Sequence, residues 1–375
     1  MLKNSFIIVV LSLSLFGAEY DFNIEDIEPK PYEYGGYLRV DDRIQKLDKG
    51  DKEYQNYLRA EALLNYSRYY DIYRFKTSLI ATGDYIKDKL STNNFTANEL
   101  YLEAKLNTNH SFLAGKESLG WGKGYFSNPV AFFDRAKDPT EPTQVREGFI
   151  IAKYGYNKSF DGSLKNINFD IVYLKADGSI NKDYYNLVTN QKESNNFAMR
   201  LYLLLYDSDI DIIYNYSDVA KDKIGVDFSK NIETNFEIHA EYAKVIDESY
   251  SYLLGIRYLT DFELTIISEY LYQSNGLKDQ EIKLSNSNLP FIAKDYAITL
   301  FTQKEPFSIL YSSIYYKNMT NLQDYSQQNK IGATYGFKNN IDIDFSYNIN
   351  SGDNFSEFGK KLASSFVWLR ATWNY

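Results

Sequence analysis

From Ile341 to Ile349 the chain alternates without a fault. Ile341, Ile343, Phe345, Tyr347 and Ile349 fall on one side, and Asp342, Asp344, Ser346 and Asn348 on the other. The stretch from Ile232 to Tyr242 repeats the pattern, with Phe236, Ile238 and Ala240 against Glu233, Asn235, Glu237, His239 and Glu241. Similar runs recur at 70–85, 164–175, 209–216, 262–274 and 363–375. Side chains of a strand point alternately to its two faces, so each run predicts a strand with one apolar and one polar face. No segment carries a comparable helical period, and the fold class is all-β.

The alternation predicts about eighteen strands, or sixteen if the weak runs at 221–229 and 294–302 are not strands. The remaining spans are 34–47, 54–66, 70–85, 97–106, 110–118, 146–156, 164–175, 195–206, 209–216, 232–245, 250–259, 262–274, 306–317, 326–337, 341–350 and 363–375. They are long for globular strands, which centre on five or six residues, and suit tilted strands that cross a bilayer. Connection lengths segregate by parity. Gaps after even-numbered strands are short, such as Asp207-Ser208, Thr260-Asp261 and Gln303-Lys304-Glu305. Every long gap (86–96, 119–145, 176–193, 275–293, 351–362) follows an odd-numbered strand. A soluble sandwich has no reason to sort its loops this way. An up-and-down transmembrane antiparallel barrel does, with short periplasmic turns and long external loops.

Composition sharpens the picture. Among 375 residues, 17% are aromatic, with 36 Tyr and 24 Phe, as interfacial girdles require. The absence of Cys removes disulfides, Cys-held metals and thiol catalysis, and with only His110 and His239 we expect no metal site and no cofactor. A net charge of −9 argues against nucleic acid as a partner. A mean hydropathy of −0.44 argues only against a helical membrane protein. At the N-terminus, Lys3 precedes an apolar run from Phe6 to Phe16, then Gly17-Ala18. Residues 1–18 therefore read as a secretory signal peptide, 19–33 as a short periplasmic segment and 34–375 as the barrel.

Two local resemblances follow. The chain ends Phe366-Val-Trp-Leu-Arg-Ala-Thr-Trp-Asn-Tyr375, with Val367, Leu369, Ala371, Trp373 and Tyr375 on one face. This resembles the C-terminal strand of Gram-negative outer-membrane barrels, and implies recognition of the strand ending at Tyr375 by the barrel-assembly machinery. The segment Gly115-Lys-Glu-Ser-Leu-Gly-Trp121-Gly122, with Asn128-Pro129 nearby, is similar to a motif of porins and alginate-export-like barrels. The resemblance implies an integral outer-membrane protein in contact with lipid, of the porin class.

A barrel of sixteen to eighteen strands is too wide for side chains to fill, so it encloses water. We expect a porin passing small hydrophilic solutes or ions, with a homotrimer as one assembly open to it. The alternatives are a surface or adhesion barrel without transport and, least favoured, a barrel hydrolase, for which the two histidines are poorly placed. Residues 119–145, the third external loop, hold Trp121, Phe126, Phe132 and Phe133, too apolar to sit in water. In porins the third loop narrows the pore, so these aromatics should pack on the inner wall with Lys123, Arg135 and Lys137 toward the pore. Period two places Arg39, Arg43, Arg59, Arg74, Lys76 and Arg370 on one inner wall. Glu233, Glu237, Glu241, Glu263 and Glu269 fall on the opposite one, giving a transverse field.

Overall fold

The computed structural model describes residues 30–47, 54–86, 89–285 and 291–375. The signal peptide at 1–18 and all but the end of the 19–33 segment lie outside the described residues. Eighteen strands follow: β1 (Tyr32–Leu47), β2 (Tyr54–Tyr70), β3 (Tyr73–Ile86), β4 (Lys89–Lys105), β5 (His110–Glu117), β6 (Phe149–Ser159), β7 (Leu164–Ala176), β8 (Ser194–Leu205) and β9 (Ser208–Ser217). They continue as β10 (Lys223–Ile232), β11 (Phe236–Val245), β12 (Ser249–Leu259), β13 (Leu264–Gln273), β14 (Asp295–Lys304), β15 (Ser312–Asn321), β16 (Gln327–Phe337), β17 (Ile341–Ser351) and β18 (Ala363–Asn374). Each pairs antiparallel with its neighbours in sequence, and β1 pairs with β18, so the sheet closes. The two weak runs, at 221–229 and 294–302, are strands β10 and β14. One-turn helices α1 (Lys182–Leu187) and α2 (Asp279–Leu284) lie in the β7–β8 and β13–β14 connections.

Alternation sorts the two faces. Leu38, Val40, Leu64, Phe75, Ile256, Phe345, Tyr347 and Leu369 stand outward and exposed, while Asp41, Glu61, Glu241 and Glu269 point inward and are buried. Closure leaves no free strand edge. At the seam Gly36 and Tyr375 exchange backbone bonds of 3.1 Å, and the Tyr375 hydroxyl crosses Gly36 to reach the Leu63 carbonyl at 2.9 Å. A Cβ at Gly36 would lie 1.9 Å from that carbonyl, so only glycine fits there.

Several sequence-based boundaries move. β4 begins at Lys89, paired with Ile86 of β3, so 89–96 is strand and not part of a long loop. β1, β2 and β4 run to 16 or 17 residues against 10 to 13 for most others. Beyond the apolar band such strands carry polar residues on both faces, as at Thr92-Asn93-Asn94, and the alternation that would reveal them disappears. β15 starts at Ser312, because Pro306 lacks an N–H and Glu305, Phe307, Ser308 and Tyr311 adopt left-handed backbone. The chain reverses between β10 and β11 at Glu233, and between β12 and β13 at Glu263, both with left-handed φ. Glu233 and Glu263 are thus exposed turn residues and leave the acidic wall assigned from period two.

The buried apolar residues do not form a core between layers. They form two clusters between the inner wall and the loops folded onto it. One joins Trp121, Val130 and Phe133 to Val172, Leu174, Ile213 and Tyr184 of α1. The other joins Phe126 to Leu253, Leu271, Tyr296, Ile298, Ile282 of α2 and Phe358. Part of the inner wall near the long-loop end is therefore apolar, where the sequence reading expects polar lumen.

Candidate functional site

The connection from β5 to β6 carries no regular structure and leaves the wall at Ser118. Asp134 fastens its base: its carboxylate accepts from the Ser118 hydroxyl (3.0 Å) and from the Leu119 and Trp121 amides. The chain then runs to β11 and β13. Glu241 Oε1 accepts from the Lys123 amide (2.6 Å), the Gly124 amide (2.7 Å) and Asn128 Nδ2 (2.8 Å), and Oε2 from the Val130 amide (3.2 Å). Glu269 accepts from the Tyr125 and Phe126 amides. The Tyr125 hydroxyl donates to Glu237 at 3.1 Å. Irregular backbone away from water must find partners for its N–H groups, and a buried carboxylate must find donors. Here the two needs are met by each other. Trp121, Phe126 and Phe133 are buried beside these anchors, each stabilising the arrangement by roughly 1.5–3 kcal/mol, and Phe132 packs against them partly exposed.

His239 lies beneath this contact. Its Nε2 is 2.9 Å from Glu269 Oε1, its Nδ1 3.5 Å from Glu237, and the Tyr125 ring covers it. A Cβ on facing Gly255 would strike the imidazole at 2.0 Å, so glycine makes the room. His110, at the start of β5, meets the Tyr154 hydroxyl at 2.7 Å. Among the described residues no cluster of His, Asp and Glu has metal-holding geometry.

The loop cations do not stand free in the lumen. Lys123 pairs with Asp211 at 3.0 Å and lies 3.8 Å from Asp227. Arg135 holds the carbonyls of Glu147 and Gly148 and pairs with Asp183. Lys137 donates to the carbonyls of Gly124 and Tyr125. The far side of the loop reaches β15, β18 and β1: Lys317 Nζ donates to the carbonyls of Pro139 and Thr140 at 2.8 Å, and Glu141 pairs with Arg370 and, at 3.8 Å, with Arg43. A single loop thus touches walls on opposite sides of the ring.

Arg39, Arg43, Arg59, Arg74, Lys76 and Arg370 all point inward from β18, β1, β2 and β3, and every one has a carboxylate partner. Arg39 and Arg59 share Glu61 (3.5 and 3.0 Å), Arg74 meets Glu103 (3.9 Å), Lys76 meets Glu99 (2.6 Å) and Arg370 meets Asp41 (2.5 Å). The series continues as Lys153–Glu117 and as Arg200 between Asp211 and Asp170. In each pair the cation is the more exposed partner: Arg59 25% against Glu61 2%, Arg200 21% against Asp211 1%, Arg370 18% against Asp41 3%. From β18 round to β9 the wall therefore turns its positive ends to the lumen. Of the opposing acids, Glu241 and Glu269 face the loop backbone and are nearly sealed from water.

Sequence reasoning missed Glu141, Lys317, Lys330, Trp368, Asp211 and Asp227. The inward parity of the five strand residues could have found them. Nothing in the sequence singles out Glu141 within its loop.

No protein-family model matches the chain, and no curated protein does. Solved structures do match in fold. OccK5 of Pseudomonas aeruginosa is similar over 91% of this chain and 98% of its own, at 10% identity and a TM-score of 0.56. Wzi of Escherichia coli, described as a carbohydrate-binding β-barrel involved in group 1 capsule assembly, is similar over 91% and 84%, at 9% identity and 0.55. A variant of the Rh. blastica porin is similar over 92% and 100%, at 11% identity and 0.50. The fold is that of outer-membrane β-barrels.

Proposed function

We propose that this protein is an outer-membrane porin, a channel through which small hydrophilic solutes or ions diffuse passively. The observation that carries the reading is the 119–145 loop. It crosses the lumen of an eighteen-stranded barrel and is bonded to β11, β13, β15 and β18, so it sets the open cross-section. A lumen lined by paired charges, with cations toward the water, suits hydrated solutes. In this reading the long loops are external, the short turns periplasmic, and the strand ending at Tyr375 is the one delivered to the assembly machinery.

Deleting 125–140 tests the role of the loop in planar bilayers. Single-channel conductance should rise severalfold, and unchanged conductance rules out the constriction. A second reading draws on the depth to which loops fill the long-loop end, where α1, α2 and Phe358 join the buried clusters. A barrel closed at that end would serve the surface without transport. Absence of any conductance from correctly folded protein would favour it.

A further inference from the structure

Where the loop meets β15, β16 and β18, the wall carries more positive charge than it neutralises. Lys317 and Lys330 stand directly opposite each other in the β15–β16 register, both inward. Like charges in facing positions repel, so a sheet keeps such a pair only where something compensates it. Lys317 is held by two loop carbonyls, whereas Lys330 has no carboxylate within ion-pair distance among the described residues. Lys330 Nζ lies 4.4 Å from the Trp368 ring centre. Arg43 and Arg370 lie over the same indole at 3.8 and 4.4 Å. Four cations thus converge on one place: Arg43, Lys317, Lys330 and Arg370.

Three wall carboxylates lie near them: Asp41, Asp344 and, beside Arg43, Asp84 of β3, which accepts from the Tyr57 and Thr92 hydroxyls at 2.6 and 2.7 Å. Asp41 is engaged by Arg370 and by the Trp368 indole N–H at 3.2 Å, and Asp344 accepts from the Tyr315 hydroxyl at 2.7 Å. The remaining acid near the cations belongs to the loop. Glu141 sits between two tight turns, where its amide bonds the Asp138 carbonyl (3.1 Å) and its carbonyl accepts from the Gln144 amide (3.0 Å). Asp138 is taken up by the Thr140 amide and hydroxyl. Glu141 is only 16% exposed and reaches both arginines.

Next to this contact, one strand step toward the long-loop end, lies a cavity of about 330 Å³. Its lining includes loop residues Lys137, Asp138 and Pro139, together with Met319, Gln328, Glu357 and Lys361, so two lysines and two carboxyl groups border it. Met319 and Gln328 are two residues from Lys317 and Lys330. A solute in the cavity is therefore separated from the four cations by the loop segment that carries Glu141.

We propose that Arg43, Lys330 and Arg370, stacked on Trp368, form a binding site for the carboxylate group of a permeating solute, and that Glu141 is its tethered occupant. Asp41 occupies the fork of Arg370, and Glu141 bridges one terminal nitrogen of Arg370 and one of Arg43, which is the position a solute carboxylate would take. A solute carboxylate arriving through the cavity exchanges with Glu141. A tethered competitor lowers the fraction of sites open to solute and so the apparent affinity. The inference deepens the porin reading by naming its solute class.

The test uses full-length protein in detergent, with succinate as probe at constant ionic strength and binding measured by calorimetry. Heat-modifiable gel mobility checks that each variant is folded. Glu141→Gln removes the competing charge and should tighten succinate binding about tenfold. Lys330→Gln should weaken it by a similar factor, and Trp368→Phe should weaken it less. Unchanged or weaker binding in folded Glu141→Gln overturns the proposal, as does binding indifferent to Lys330→Gln. Bilayer recordings separate the two readings. Succinate binding with the expected variant order but no conductance refutes the porin and leaves the site. Conductance without that order refutes the site and leaves the porin.

Discussion

Glu241 is the residue on which the loop hangs. It takes four hydrogen bonds from a segment that otherwise has no regular structure, and it is 2% exposed. Glu241→Leu leaves those donors unpaired at about 1–3 kcal/mol each, more than the leucine regains by burial. Amide exchange at Lys123, Gly124 and Val130 should accelerate by orders of magnitude while the strand amides stay protected. Glu241→Gln keeps an acceptor and should show a smaller effect. Glu357, in the β17–β18 connection, makes a separate pH-dependent prediction. Burial pushes its carboxyl above the ordinary range, and the bonds from the Tyr296 hydroxyl (2.7 Å) and Asn321 (2.8 Å) only partly offset that. A group with a raised folded-state pKa stabilises the fold at low pH, and this contribution is lost as pH rises through that value. Docking of the connection should therefore be firmer on the acidic side of neutrality. Glu357→Gln should flatten that dependence, read as exchange of the Phe358 amide at pH 5 and pH 8.

At the scale of strands, the outward faces carry the claim that the barrel sits in lipid. Phe345 is 51% exposed in the middle of β17. Phe345→Arg should cost roughly 2–4 kcal/mol in a refolding titration into lipid, the range for a charge at the bilayer midplane. Thr302→Lys, at an inward position of β14, should cost far less, and equal costs would overturn the assignment of faces. Strands with one apolar face were legible from alternation, and the β17 register follows the sequence pattern residue by residue. Ends were less legible. Around Thr92-Asn93-Asn94 β4 has no apolar face, and the β14–β15 turn depends on left-handed backbone at residues that do not advertise it.

The whole molecule brings the first and last strands together, and with them the arginines of β18, β1 and β2. Their positive ends face the lumen in front of more deeply buried acids, so the wall should favour anions despite the chain's net charge of −9. Neutralising Arg59, Arg74 and Lys76 together should shift the reversal potential under a salt gradient toward cation preference. An unmoved potential would place these residues off the conducting path. The acids of β11 and β13 should matter through the loop they hold, because that loop shields them from the water path.

Period two and loop parity determined the fold class and which face of each strand is apolar, and narrowed the strand number to eighteen or sixteen, which the pairing of β10 and β14 into the ring then decided. These are local properties: a strand shows both its faces within a few residues. What the inward charges do was decided by the tertiary structure. Glu241 and Glu269 read as pore-wall acids until a loop more than a hundred residues away in sequence covers them. Glu233 and Glu263 read as wall residues until the backbone turns under them. The pairing of Glu141 with Arg370 joins residues 229 positions apart. Alternation tells a side chain which way to point, but only closure of the ring and the path of the loop bring it a partner.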